Sequence, residues 1–133
     1  MAQTSTTIIA SKSHKADVTG TDISFTATSG IYKITSTSTA LNNFAVKDLI
    51  TVTGTTNNNS TFTVKTVTDA NELIVEEIVT AETADGSTTY TLDHTGFVSE
   101  QEKGDGYYSH PDGVHTVAYK VNTTLTGSIK MQG

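Results

Sequence analysis

The chain has no cysteine, no tryptophan and a single proline, and only 8 Lys plus Arg stand against 14 Asp plus Glu in its 133 residues. Without cysteine there is neither a disulfide framework nor a thiolate metal site, so the fold must hold by burial and ladder hydrogen bonds. The redox compartment is left open. With a net charge of -6 the chain carries no basic stripe to neutralise phosphates, and no specific nucleic-acid partner is expected. No apolar run reaches the roughly 18 residues of a membrane-spanning helix, so no membrane partner is expected. The opening MAQTSTTIIASKSH lacks a basic stretch followed by an apolar core, which predicts synthesis in the cytoplasm without signal-dependent export. Also missing are a Gly-x-Ser-x-Gly elbow and a Gly-x4-Gly-Lys-Ser/Thr phosphate loop.

Leucine is scarce too, whereas threonine supplies about a fifth of the residues, far above ordinary usage. Threonine and valine lose rotamer freedom in helices and fit a pleated, half-buried surface, so the bias predicts strands throughout. The length suits one domain, with a modest core.

The organising stretch is residues 44–79, FAVKDLITVTGTTNNNSTFTVKTVTDANELIVEEIV. It reads as three strands: 49–53 with Ile50 and Val52 on one face, 61–68, and 73–79. Two polar turns, 54–60 and 69–72, separate them. Within 61–68, Phe62 and Val64 share a face and Val67 falls on the other, a change of parity that predicts a bulge or strong bend. Upstream, 22–28 alternates with Ile23, Phe25 and Ala27 on one face. Ser29-Gly30 is a turn, and 31–35 is a second strand. Residues 87–92 close the set. Five or six short strands with polar turns predict an all-β fold: a small SH3-like barrel or sandwich over 18–96, preceded by an arm, 1–17.

Residues 97–113 read as a linker and turn. Residues 114–133 alternate as a C-terminal β-hairpin, with Val117, Tyr119, Ile129 and Met131 on its apolar positions. A hairpin with one apolar face must pack on another element or subunit. With Ile8 and Ile9 of the arm and the turn tyrosines Tyr107 and Tyr108, these residues are the interface candidates.

No catalytic constellation stands out, no cofactor is implied, and the chain is expected not to be an enzyme. The densest polar cluster, Asp105, His110, Asp112 and His115, has ligand types suited to Zn²⁺. Its spacing matches no metal motif and His115 lies on an apolar strand face, so His110, Asp112 and His115 are metal candidates weighed against packed or interface residues, and no metal is assigned. Glu76 and Glu77, with Glu82 or Asp85, suggest a glycosidase carboxylate pair, but adjacent strand residues point to opposite faces, and a solvated strand end is the simpler expectation. Sequons at Asn58, Asn59 and Asn122 follow from composition. Thr-x-Thr pairs at 26/28, 51/53, 61/63 and 66/68 hint at an ice-binding face, but their irregular spacing gives no solenoid period.

The pattern Phe44-x-Val46-x-Asp48-x-Ile50-x-Val52-x-Gly54, then Asn57 to Asn59, Thr61-Phe62-Thr63-Val64-x-x-Val67 and Leu73-x-Val75-x-Glu77 resembles a module of tailed-bacteriophage structural proteins. Those modules look like small SH3-like barrels. In that pattern glycine commonly precedes the aspartate, where this chain has Lys47. The segment GVHTVAYKVNTTLTGSIKMQG is similar to the strand pair opening a jelly-roll-like or fibre-head region in phage virion proteins. The resemblance covers about two thirds of the chain. It implies a virion protein made in the host cytoplasm: capsid decoration first, a neck or tail/fibre-attachment component as alternative. Its implied partners are other virion proteins, capsid or tail subunits, and further copies of itself. A carbohydrate- or surface-binding module using Tyr107, Tyr108 and His110 is the reading from another class.

Overall fold

The structure, a computed structural model, describes residues 12–99. Seven strands follow in order: β1 Val18–Gly20, β2 Ser24–Thr28, β3 Ile31–Thr35, β4 Asp48–Thr53, β5 Thr61–Asp69, β6 Glu72–Val75 and β7 Tyr90–Phe97. The described residues contain no helix. All strand pairs are antiparallel, in the spatial order β1-β7-β4-β5-β6-β3-β2. The protein is therefore all-β, as its composition predicts, in the form of one seven-stranded sheet that does not close into a barrel.

Two local devices produce the curvature. The β2–β3 hairpin turns on Ser29 and Gly30, both left-handed (φ 51° and 77°), so its twist matches that of the flanking strands. β5 pairs with β4 through residues 61–63 and with β6 from Val64 onward, and its register shifts between Val64 and Thr66 and again between Val67 and Asp69. The predicted bulge is thus present. It also corrects the expected facing of Val67: the extra residue, Lys65, restores the inward phase, and Val67 packs against the core with Phe62 and Val64.

The edge strands β1 and β2 are joined by only three residues, 21–23, a link that spans at most about 14 Å. The two edges of the sheet therefore lie close together, and the sheet coils around one core. A two-bond bridge between Phe25 and Glu82 covers part of the β2 edge (Phe25 N–H to Glu82 O 2.7 Å, Glu82 N–H to Phe25 O 2.9 Å). Inside lie Ile23, Phe25, Ile34, Ile50, Val52, Phe62, Val64, Leu73, Val75, Tyr90 and Leu92, with Leu41 and Phe44 from the 36–47 crossover and Val79 from the 76–89 crossover. The rings of Phe25, Phe62 and Tyr90 meet at centroid distances of 6.3–6.4 Å, within the range of favourable aromatic pairs.

Two strand expectations need correction, and one strand, β1, was not expected. β6 stops at Val75 instead of reaching Val79. Beyond it the chain turns so that the Glu77 carboxylate accepts the Thr63 N–H (2.6 Å) and hydroxyl (2.7 Å), which leaves Ile78 77% exposed. β7 begins at Tyr90 and runs on to Phe97, instead of spanning 87–92, because Asp85 holds the Ser87 and Thr88 N–H groups in a turn. β1 has too few residues to show alternation, and it exists by pairing with β7.

Candidate functional site

Carboxylates organise the polar structure of this module, and Asp22, Glu82 and Asp85 are aimed at loops. Asp22 receives the N–H and hydroxyl groups of Thr37, Ser38 and Thr39 at 2.5–3.1 Å. The Thr39 hydroxyl, with the backbone donors, holds this carboxyl well below the usual carboxylate range. Glu82 accepts from Thr56 N–H (2.8 Å), Asn57 N–H (3.0 Å), Asn58 Nδ2 (2.9 Å) and the Tyr90 hydroxyl (3.0 Å). Burial acts to raise the Glu82 carboxyl, but these donors outweigh it and leave it below its ordinary value. Burial and the neighbouring Glu82 push the Tyr90 phenol up.

The remaining members of the carboxylate set considered for glycoside hydrolysis are also engaged. Glu77 secures Thr63, Asp85 holds its own turn, and Glu76 sits 3.5 Å from Lys47 Nζ. Glu77 is consequently half-buried and bonded, not the solvated strand end expected.

Among the described residues the most deeply buried ionisable groups are the pair Asp48 and His94, each side chain 1% exposed. Asp48 opens β4 after a turn in which Lys47 is left-handed (φ 73°), the position where the phage-type pattern commonly carries glycine. His94 lies on β7 in phase with Tyr90 and Leu92, so strand alternation carries it inward. There Phe97 (ring centroids 4.9 Å) and Phe44 (6.4 Å) flank it.

Asp48 Oδ2 accepts from Lys15 Nζ (2.5 Å) and the Ala45 N–H (2.8 Å). Its Oδ1 faces His94 Nε2 at 3.6 Å, and neither of these two atoms has a hydrogen-bond partner. His94 Nδ1 accepts the Lys15 backbone N–H at 3.2 Å, which places the imidazole proton on Nε2. Burial raises the Asp48 carboxyl, but the bonds from Lys15 and Ala45 prevail and hold it below its ordinary value. Burial likewise pushes the His94 imidazole down, more than Asp48 pulls it up. The site is thus a neutral imidazole beside an ionised carboxylate, closed over by Lys15.

This cluster was not singled out from the sequence. The signal available was parity: in YTLDH the histidine is in phase with Tyr90 and Leu92, which marks a buried polar residue in need of a partner. The candidates taken from the sequence, His110, Asp112 and His115 for metal and Ile8, Ile9, Tyr107, Tyr108, Val117, Tyr119, Ile129 and Met131 for interfaces, lie outside the described residues, as does the 114–133 hairpin. Among the described residues no group of three or more His, Asp or Glu is arranged to hold a metal ion.

The sequon at Asn58 falls on a residue 3% exposed. Its Nδ2 donates to Thr80 O and to Glu82 while its Oδ1 accepts the Thr80 N–H, so a glycan there is incompatible with the fold. Of the threonine pairs, Thr51 bonds to Thr61 (2.9 Å) and Thr95 (3.1 Å) across three strands, satisfying hydroxyls within the face. Comparison with family models, curated proteins and solved structures finds no match.

Proposed function

We propose that the protein is a non-enzymatic structural component of a phage virion, acting in capsid decoration or stabilisation through contacts between subunits. The observation that carries this reading is the use made of the carboxylates: Asp22, Asp48, Glu82 and Asp85 each bind backbone N–H groups of loops, and Glu77 binds one of strand β5. Such fastening suits a module whose work is to keep its shape in an assembly. The resemblance of residues 44–77 to phage structural modules supports the same reading, with neck or tail/fibre attachment as the alternative position in the particle.

Light scattering at high protein concentration, together with co-sedimentation with capsids or tails, tests the proposal. A closed homo-oligomer or a particle-bound fraction is expected, whereas a monomer with no affinity for either overturns it. Cross-linking should join Lys12 and Lys130 to a second chain. Lys15, held against the buried Asp48 carboxylate, should react poorly.

A further inference from the structure

Residues 12–17 run along the module ahead of β1 as a strap. All of them are exposed except Lys15, which is half-buried, so no apolar side chain anchors the segment. Its attachments are polar. The Asn43 amide donates to Ala16 O (2.8 Å), Lys15 Nζ binds Asp48 (2.5 Å), and the Lys15 N–H binds His94 Nδ1 (3.2 Å). The His14 ring stands edge-on to His94 at 5.1 Å, and Asp17 faces Asp93, whose carboxyl it pushes above its ordinary value. A strap held in this way depends on the protonation states beneath it.

We propose that His94 is a proton-operated latch: its neutral ring accepts the Lys15 amide and keeps the strap docked, and protonation of Nδ1 sets donor against donor and releases it. The inference stands whether or not the assembly reading does. It follows from the two faces of the ring. Nδ1 has the Lys15 N–H as its acceptor duty, and an imidazolium carries hydrogens on both nitrogens. Compensation from the other face is poor, because Asp48 Oδ2 is occupied by Lys15 and Ala45 and Oδ1 lies 3.6 Å from Nε2, beyond ordinary hydrogen-bond reach.

The charged groups around His94 divide as follows. Lys15 and His14, on the strap, oppose a positive charge on the ring; Asp48, from β4, favours it; burial opposes it most. Lys47, the neighbour of Asp48 in the chain, lies 3.5 Å from Glu76. On β7 itself, Asp93 is held above its ordinary value by the facing Asp17, so that contact strengthens in acid and works against release at the exposed rim. At His94 the docked state binds fewer protons than the open one. Docking is therefore complete above the ordinary imidazole value of about 6.5 and weakens as pH falls below it. Asp48, held low while docked, adds to release below about pH 4.

Titration of the full-length, isotope-labelled chain by NMR from pH 7.5 to 4.5 tests the latch. The His94 ring should titrate with a midpoint below about 6.5. The Lys15 and Ala16 amides should move with the same midpoint, and the hydrogen exchange of the Lys15 amide, corrected for its intrinsic pH dependence, should accelerate by about tenfold or more while Ile50 and Leu92 stay protected. His94→Gln keeps an acceptor and a donor without the titration, and should leave the strap docked across the range; His14→Gln removes a group that opposes charge on the ring and should raise the midpoint while keeping the release. The latch is overturned if His94 titrates while the Lys15 and Ala16 amides stay still, if release persists unchanged in His94→Gln, or if His14→Gln abolishes it. Should His94→Gln fail to fold, coincidence or separation of the two wild-type midpoints decides.

Discussion

Asn58 shows how much one side chain does in this module. Its amide stands in for a strand backbone, giving to Thr80 O, taking from Thr80 N–H and bracing Glu82. Truncation removes its hydrogen bonds to Thr80 and Glu82, each worth about 0.5–1.5 kcal/mol net. Asn58→Ala should therefore lower unfolding free energy by about 2–3 kcal/mol in urea titrations, with an unchanged denaturant slope. Lys47 presents the opposite case. It holds a left-handed backbone (φ 73°) that costs a non-glycine residue about 1 kcal/mol, offset by a half-exposed ion pair with Glu76 worth a few tenths of that. Lys47→Gly should raise stability by about 0.5 kcal/mol in the same assay. Lys47 was legible as a departure from the phage-type pattern, but its conformation was not, since composition carries no φ.

Among the elements, β5 and the loops around it decide the shape. The parity break in TFTVKTVTD was readable as a bulge, because alternation has period two and one inserted residue must flip it. That the flip brings Val67 into the core was not readable, since either direction of bend satisfies the same pattern. The turn opening at Gly54 is constrained from outside: φ is 88°, and an added Cβ would meet Thr89 O at 2.6 Å. Gly30 has a similar φ, 77°, with nothing near the same position. Gly54→Ala should thus cost distinctly more than Gly30→Ala, about 3 kcal/mol or more against about 1 kcal/mol, by thermal or urea unfolding. Equal losses would show that the approach of the 89–90 backbone to Gly54 is not rigid.

For the molecule as a whole, the carboxylate fastenings set the response to acid. Asp22, Asp48 and Glu82 are all held below their ordinary values in the folded state. The unfolded chain therefore takes up protons at higher pH than the folded one. Their contribution is fully present above about pH 4.5 and is lost as pH falls through the folded-state values. His94, kept neutral by burial, adds a decline that begins below about pH 6.5. Asp93 has the opposite sign, and its contact with Asp17 weakens as pH rises. The melting temperature should fall in two stages between pH 7 and 3, and His94→Gln should remove the first. A melting temperature that is flat or rises over that interval would show that these carboxylates do not fasten the native state.

Composition and periodicity alone determined the fold class and the inward phase of Ile23, Phe25, Ile50, Val52, Phe62 and Val64, because alternation and β-branching act locally and every strand repeats them. The ends of β6 and β7, the pairing of β1 and the Asp48–His94–Lys15 cluster were decided only in three dimensions. Lys15 lies 79 residues from His94 and 33 from Asp48 along the chain, and no local pattern encodes a contact at that range. A buried imidazole and carboxylate find their partner only when the sheet has curled far enough to bring the strap across them.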